Sequence, residues 1–209
     1  FQRVYGTAFF DRKQLDEHLK MLDEAKKRDH RVLGPQLGLF AIDDAVGQGL
    51  VLWKPKGAII RQTLEDYLKV ELRKRGYEAV YTPNVGRVEL YQISGHFPYY
   101  SDSQFPPIEF KDGERYLLKP MNCPHHIQIY KERGVVSYRD LPIRIAELGQ
   151  MFRYEPSGTL TGLSRVRMMV LSDAHIFCRE DQIQDEFVNV VKLIDDAYRK
   201  LGLTDFTYR

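Results

Sequence analysis

Residues 143–178 read IRIAELGQMFRYEPSGTLTGLSRVRMMVLSDAHIFC. Two runs rich in Ile, Leu, Met, Val and Phe, residues 143–155 and 165–178, flank PSGTLTGLS, whose Gly, Ser and Thr suit a loop. The spacing predicts an antiparallel pair of strands joined by a long mobile tip. Residues two apart on a strand point the same way, so Arg153 and Glu155 would project together, as would Arg165 and Arg167 on the returning strand. Such a pair could present guanidinium forks to phosphate or carboxylate, with the tip folding over the anion. Cross-strand ion pairing on a solvated sheet face fits the same residues. Further along, Asp173 and His175 share one face and Cys178 falls on the other.

Working outward, Pro124 suits the first turn of a helix running to about Gly134, since its missing N–H would be unpaired there anyway. Cys123 then stands at a helix entrance, with His125 and His126 directly behind it. Adjacent helical residues diverge by about 100°, so at most one of the two histidines could share a site with Cys123, and both read as helix-surface residues. RYLLKP and YEAVYTP read as strands ended by Pro120 and Pro83. Before them, Ile60, Leu64, Tyr67, Leu68 and Leu72 form one helical face that Gly76 closes. Gly47 and Gly49 divide two short apolar runs, as in a strand–turn–strand. Asp11 and Gln14 resemble a capping box that starts a polar helix with a stripe of Leu15, Leu19 and Leu22, closed by Gly34 and Pro35. At the end, Ile183, Phe187, Val191, Ile194, Tyr198 and Leu201 make a helix from near Glu180 amphipathic. FQRVYGTAFF and LTDFTYR read as terminal strands, the latter cut short. Helices between strands joined by hairpins and loops predict an α+β fold, an antiparallel sheet flanked by helices.

With 43% hydrophobic and 29% charged residues, the 209-residue chain has the composition of a globular protein with one substantial core. A formal net charge of +2 selects no partner. Two cysteines far apart in the chain argue against a disulfide scaffold and for a reducing compartment, the cytoplasm. No apolar run is long enough to span a membrane. No Walker or dinucleotide phosphate fingerprint follows a strand. Cys123 and His175, far apart in sequence, are a weak zinc pattern by themselves, and a buried thiol beside a satisfied histidine fits them too. A cysteine nucleophile fits less well.

Taken together and in order, KPMNCPHH, YRDLPIRIAELG, FRYEPSG and DAHIFC resemble the catalytic core of the threonyl-tRNA synthetases, a family of class II aminoacyl-tRNA synthetases. RGYEAVYTPNV with the helix before it resembles motif 1 of that class, which implies a homodimer interface, and FRYE through RVR resembles motif 2. The resemblance implies a lead-in strand and amphipathic helix at 1–50 and a catalytic core at 51–209. It implies ATP-dependent activation of threonine and its transfer to tRNA(Thr), a ligase reaction. Arg153 would hold the α-phosphate, Glu155 would accept from the adenine amino group, Arg165 would reach the γ-phosphate, and Mg2+ would ride on the ATP phosphates. Cys123 and His175 would be two of three protein ligands of a Zn2+ ion, the third lying after Arg209, and Met121 and Asp173 would contact threonine.

RVRMMVLSDAH departs from the RVRGFTQDDAH expected of the family at residues 168–172. Met169 stands where an aromatic ring stacks on adenine, Leu171 where a glutamine places the threonine carboxylate, and Ser172 where an acid is usual. Thr161 and Ser164 replace a histidine and a methionine. The sequence also stops before motif 3, so the expectation is a segment of a longer enzyme that is inactive alone. A synthetase-like module that binds an amino acid or RNA without aminoacylation is the alternative.

Overall fold

The computed structural model describes residues 2–208. Its first helix, α1 (Arg12–Lys27), starts where the Asp11 carboxylate accepts from the Gln14 N–H at 2.8 Å, as the capping residues predict. None of its residues is buried. The helical pattern does not run on to Gly34 as one piece. Asp29 accepts from the Arg31 N–H and opens a separate helix, α2 (His30–Leu37), which carries Pro35 inside it and ends at Gly38 in the left-handed conformation.

Strands β1 (Phe40–Ile42) and β2 (Val51–Trp53) form an antiparallel hairpin that spans residue 50. The Phe40 ring fills the space beside Gly34, where any Cβ would collide with it. Helix α3 (Pro55–Lys74) follows, with Pro55 in its first turn and Gly76 at φ 78° just past its end, where the sequence puts the stop. Of its predicted apolar face only Leu72 is buried, and Ile60 and Leu64 stay exposed.

The chain then enters the main sheet through β3 (Glu78–Ala79), which pairs parallel with β7 (Ile143–Phe152) and not antiparallel as expected. Only two residues pair, well short of Pro83, because the chain turns away to build a second sheet of β4 (Val85–Arg87), β5 (Ile108–Glu109) and β6 (Arg115–Leu118), ordered β4-β6-β5 and antiparallel. Helix α4 (Val88–Ile93) packs Val88 and Tyr91 against Leu117 there. Helix α5 (Cys123–Glu132) lies between β6 and β7 in sequence. The predicted hairpin is present as β7 against β8 (Met168–Phe177), paired from Ile143↔Phe177 to Phe152↔Met168, and the sheet order is β3-β7-β8.

Register sets the sheet's two faces. Ala146 and Ile176 face Leu72 and Tyr77 of the α3 region and Leu193 of α6 (Ile183–Lys200). Glu147, Asp173 and His175 point to the other side. Helix α6 is preceded by a 3-10 turn at Glu180–Gln182 and is amphipathic as predicted, but its Ile183, Phe187 and Tyr198, and Leu201 just past its end, are exposed. Besides Leu193, the pair of hydrogen bonds from the Arg144 guanidinium to the Glu186 carboxylate, one at 2.6 Å, ties it to the sheet. Among the described residues there is no terminal strand; Phe1 and Arg209, the outer ends of the two expected, lie outside them. The fold is α+β, as the sequence indicates.

Glu186 is buried, so stripping its partner leaves a carboxylate uncompensated. Arg144→Met should lower the unfolding free energy by about 3 kcal/mol in urea titration. A loss under about 1 kcal/mol would mean the pair behaves as a surface one.

Candidate active site

Helix α5 lies over the face of the sheet that carries Glu147, Asp173 and His175. Its entrance does not use an ordinary side-chain cap: the Asn122 amide turns to the sheet and Nδ2 donates to Asp173 Oδ2 at 2.9 Å. Gly149 of β7 leaves room for this, since a Cβ there would collide with the Asn122 side chain. Asn122 Oδ1 is buried with no partner among the described residues.

The two histidines after Pro124 are buried, which corrects the surface reading. His125 Nε2 is 2.9 Å from the Tyr91 hydroxyl, and burial, helped by the Lys119 charge, pulls its pKa down to about 4. His126 is fully buried, with Nδ1 2.7 Å from His175 Nδ1 and Nε2 3.2 Å from Glu147 Oε1. Glu147 also accepts from the Thr82 hydroxyl at 2.7 Å, the Thr82 N–H at 3.0 Å and the Lys119 ammonium at 3.3 Å. Lys119, itself fully buried, donates to the Thr82 hydroxyl at 2.6 Å. Burial alone would push the Glu147 carboxyl up. The bonds from His126 and Thr82 and the Lys119 charge outweigh it and hold the carboxyl at about 2.

Sequence reasoning missed this network. Its signal was a lone carboxylate and a lone ammonium inside the apolar strand runs IRIAELG and RYLLK, where a charge needs a partner.

Cys123 and His175 are half-buried. Burial and the nearby Asp173 charge push the Cys123 thiol up, and burial lowers His175, so burial favours the neutral form of each. Sulfur and imidazole are the donors zinc prefers, and an engaged Nδ1 on His175 is the usual arrangement of a ligating histidine. Among the described residues no group of three or more His, Cys, Asp or Glu side chains could hold a metal ion. The residues fit zinc in kind, with its coordination to be completed from outside them. Met121, next to Asn122, is half-buried.

The second group of expected residues lies around the hairpin tip. Strand β7 ends at Phe152 and β8 begins at Met168, so Arg153, Glu155, Arg165 and Arg167 lie beyond the strands and not on them as expected. The Arg153 N–H still donates to the Arg167 carbonyl. Arg165 Nε donates to Glu155 Oε2 at 2.9 Å, the cross-strand pairing that the pattern allows, and Arg167 donates to the Glu155 carbonyl and covers the Tyr154 ring. Arg153, Glu155, Arg165 and Met169 line a cavity of about 660 Å3 with Trp53 and Leu64. Cys123, Asp173 and His175 are not in its lining, so the structure draws the candidate residues into two groups.

The tip is tied down at several points. It contains a 3-10 turn at Ser157–Thr159 and a bridge between Thr161 and Arg165. The Leu163 N–H donates to His30 Nε2 at 2.9 Å, and Gly162, at φ 48°, lies so close to His30 that a Cβ would clash with its ring. The Arg167 N–H donates to the Gly49 carbonyl in the β1–β2 turn.

The family model of the tRNA synthetase class II core domain (G, H, P, S and T) matches residues 107–209. Threonine–tRNA ligase of Anoxybacillus flavithermus is 59% identical over 208 residues, 100% of this chain and 32% of that protein. Threonine–tRNA ligase 1 of Bacillus subtilis is also 59% identical, with the same coverage of 100% and 32%. The solved RNA binding domain of threonyl-tRNA synthetase from Cryptosporidium parvum superposes with a TM-score of 0.79 at 41% identity, over 84% of this chain and 43% of that one. Prolyl-tRNA synthetase of Giardia lamblia, solved with prolyl-adenylate, shares the fold at a TM-score of 0.72 and 21% identity, over 80% of this chain and 34% of that one. Fold and matched residues define a class II aminoacyl-tRNA synthetase core. Within that class, the chain belongs to the threonyl-tRNA synthetase family. It spans about a third of the length of the curated relatives it matches.

Two outcomes follow from this geometry. A carboxyl held at about 2 when folded stabilises the protein fully above its ordinary value of 4.5, and that stability is lost as pH falls from there toward 2. Urea titrations in this window should show a shallower pH slope for Glu147→Gln, by up to about 1.4 kcal/mol per pH unit; equal slopes would mean the carboxyl titrates normally. His30→Ala should speed hydrogen exchange at the Leu163 amide about fivefold, the equivalent of a hydrogen bond worth about 1 kcal/mol, and an unchanged rate would mean the tip is held elsewhere.

Proposed function

We propose that this chain is the motif 1 and motif 2 part of the catalytic core of a threonine–tRNA ligase. The observation that carries the reading is that Arg153, Glu155 and Arg165 line one cavity at the tip of the hairpin whose strand β8 carries Asp173 and His175 on the face away from α3. In the intact enzyme a threonine carboxylate oxygen attacks the α-phosphorus of ATP, a new P–O bond forms, and the bond to the bridging oxygen breaks to release pyrophosphate. A terminal ribose hydroxyl of tRNA(Thr) then attacks the adenylate carbonyl, gives up its proton, and displaces AMP.

Arg153 would hold the α-phosphate and neutralise the charge that builds on it. Arg165 is exposed enough to leave Glu155 and meet the γ-phosphate, which frees the Glu155 carboxylate for the adenine amino group. Such chemistry needs orientation and charge stabilisation more than a protein nucleophile. Met169 would cover adenine with a flexible apolar side chain in place of a ring. Mg2+ would come with the ATP phosphates.

Cys123 and His175 would hold zinc, with Asp173 and Met121 beside the amino acid. A bound zinc ion would supply the Lewis acidity that favours an amino acid with a side-chain hydroxyl over valine, which has none. Residues 51–209 would form the core and 1–50 its lead-in, with a homodimer through the motif 1 region. No helix of the described residues is long and apolar enough to cross a membrane, and both cysteines are free, which suits a cytoplasmic enzyme.

The full-length protein should exchange labelled pyrophosphate into ATP when threonine is added, and Arg153→Ala should lose this by at least about a hundredfold at unchanged fold stability. Exchange with none of the twenty amino acids would sink the reading, and near-normal exchange in the variant would remove Arg153 from its role.

A further inference from the structure

The buried chain of contacts behind His175 has a direction that its hydrogen-bond inventory determines. Glu147 can only accept, and His126 Nε2 is 3.2 Å from its Oε1, so that nitrogen carries a proton. Neutral His126 then has a lone pair on Nδ1. That lone pair faces His175 Nδ1 at 2.7 Å with the two rings edge to face, so the proton between them belongs to His175. The same Glu147 oxygen takes the bonds from Thr82 and Lys119, so its place opposite His126 Nε2 is fixed.

We infer that Glu147 and His126 are positioning residues that fix the proton of His175 on Nδ1 and leave Nε2 bare as a lone pair. Thr82 completes the relay, because its hydroxyl takes a bond from Lys119 and gives one to Glu147, which locks the carboxylate oxygen toward His126. The relay therefore starts at a lysine just past β6 and ends on β8, passing through β7 and α5. A metal ion as the target of the bare nitrogen rests on the proposed zinc reading; the tautomer itself does not.

The test uses the full-length protein, labelled with 15N at histidine and stripped of metal. Long-range proton–nitrogen correlation should show His175 protonated on Nδ1 and His126 protonated on Nε2. His126→Asn puts an amide oxygen in place of Nδ1 and should keep the His175 pattern, whereas His126→Phe offers no acceptor and should move its proton to Nε2. Cobalt(II) titration, read by thiolate-to-cobalt absorption, should weaken about 10- to 100-fold in His126→Phe and stay near wild type in His126→Asn.

A packing role would rank the two variants the other way. A wild-type His175 protonated on Nε2 overturns the relay whatever the variants do, as does an unchanged pattern in His126→Phe. The expected tautomer without cobalt binding supports the relay and overturns the zinc reading. Cobalt binding with Nε2 protonated does the reverse.

Discussion

Glu147 ionises where water does not reach, and the structure around it is arranged so that it can. Its carboxylate takes bonds from Thr82 after β3, Lys119 at the end of β6 and His126 of α5, so the two sheets and a helix meet at one charge. Without all of these donors the carboxylate would be costly to bury, and an apolar residue would pack there at less risk. The arrangement is directional where apolar packing is not. It sets the register of α5 over the β7–β8 hairpin and so decides how Cys123 stands relative to Asp173 and His175.

A second constraint acts at the helix entrance. Asn122 gives up the usual capping bond and spends its amide on Asp173, and Gly149 is the residue that lets it come that near the sheet. One small residue on β7 thereby fixes an acidic side chain on β8. The cysteine next in sequence is carried along by the same contact.

Much of this was legible in the sequence wherever a local pattern has one physical solution. The hairpin of 143–178, the stop at Gly76, the Asp11 cap and the helix begun near Pro124 are of that kind. Periodicity tells which residues share a face and not which face is covered, which is why Ile183 and Phe187 of α6 are exposed while Glu186 is buried. The direction of β3 was not legible, because two paired residues carry no pattern of their own. His125 and His126 were misread for a related reason: a polar side chain is placed inside by its partners, and those partners, Tyr91, Glu147 and His175, are scattered over the chain.

The bond from the Leu163 N–H to His30 joins residues 133 apart in sequence. A contact between neighbours in sequence forms as soon as both are made, but this one waits until the chain between them has been brought round, and its entropic cost grows with that separation. The hairpin can zip locally from its paired strands, while the placement of its tip belongs to the late, long-range part of folding. The tip that carries Arg165 is thus anchored by a residue near the start of this sequence, and the contacts that complete the site do not follow the order in which it is written.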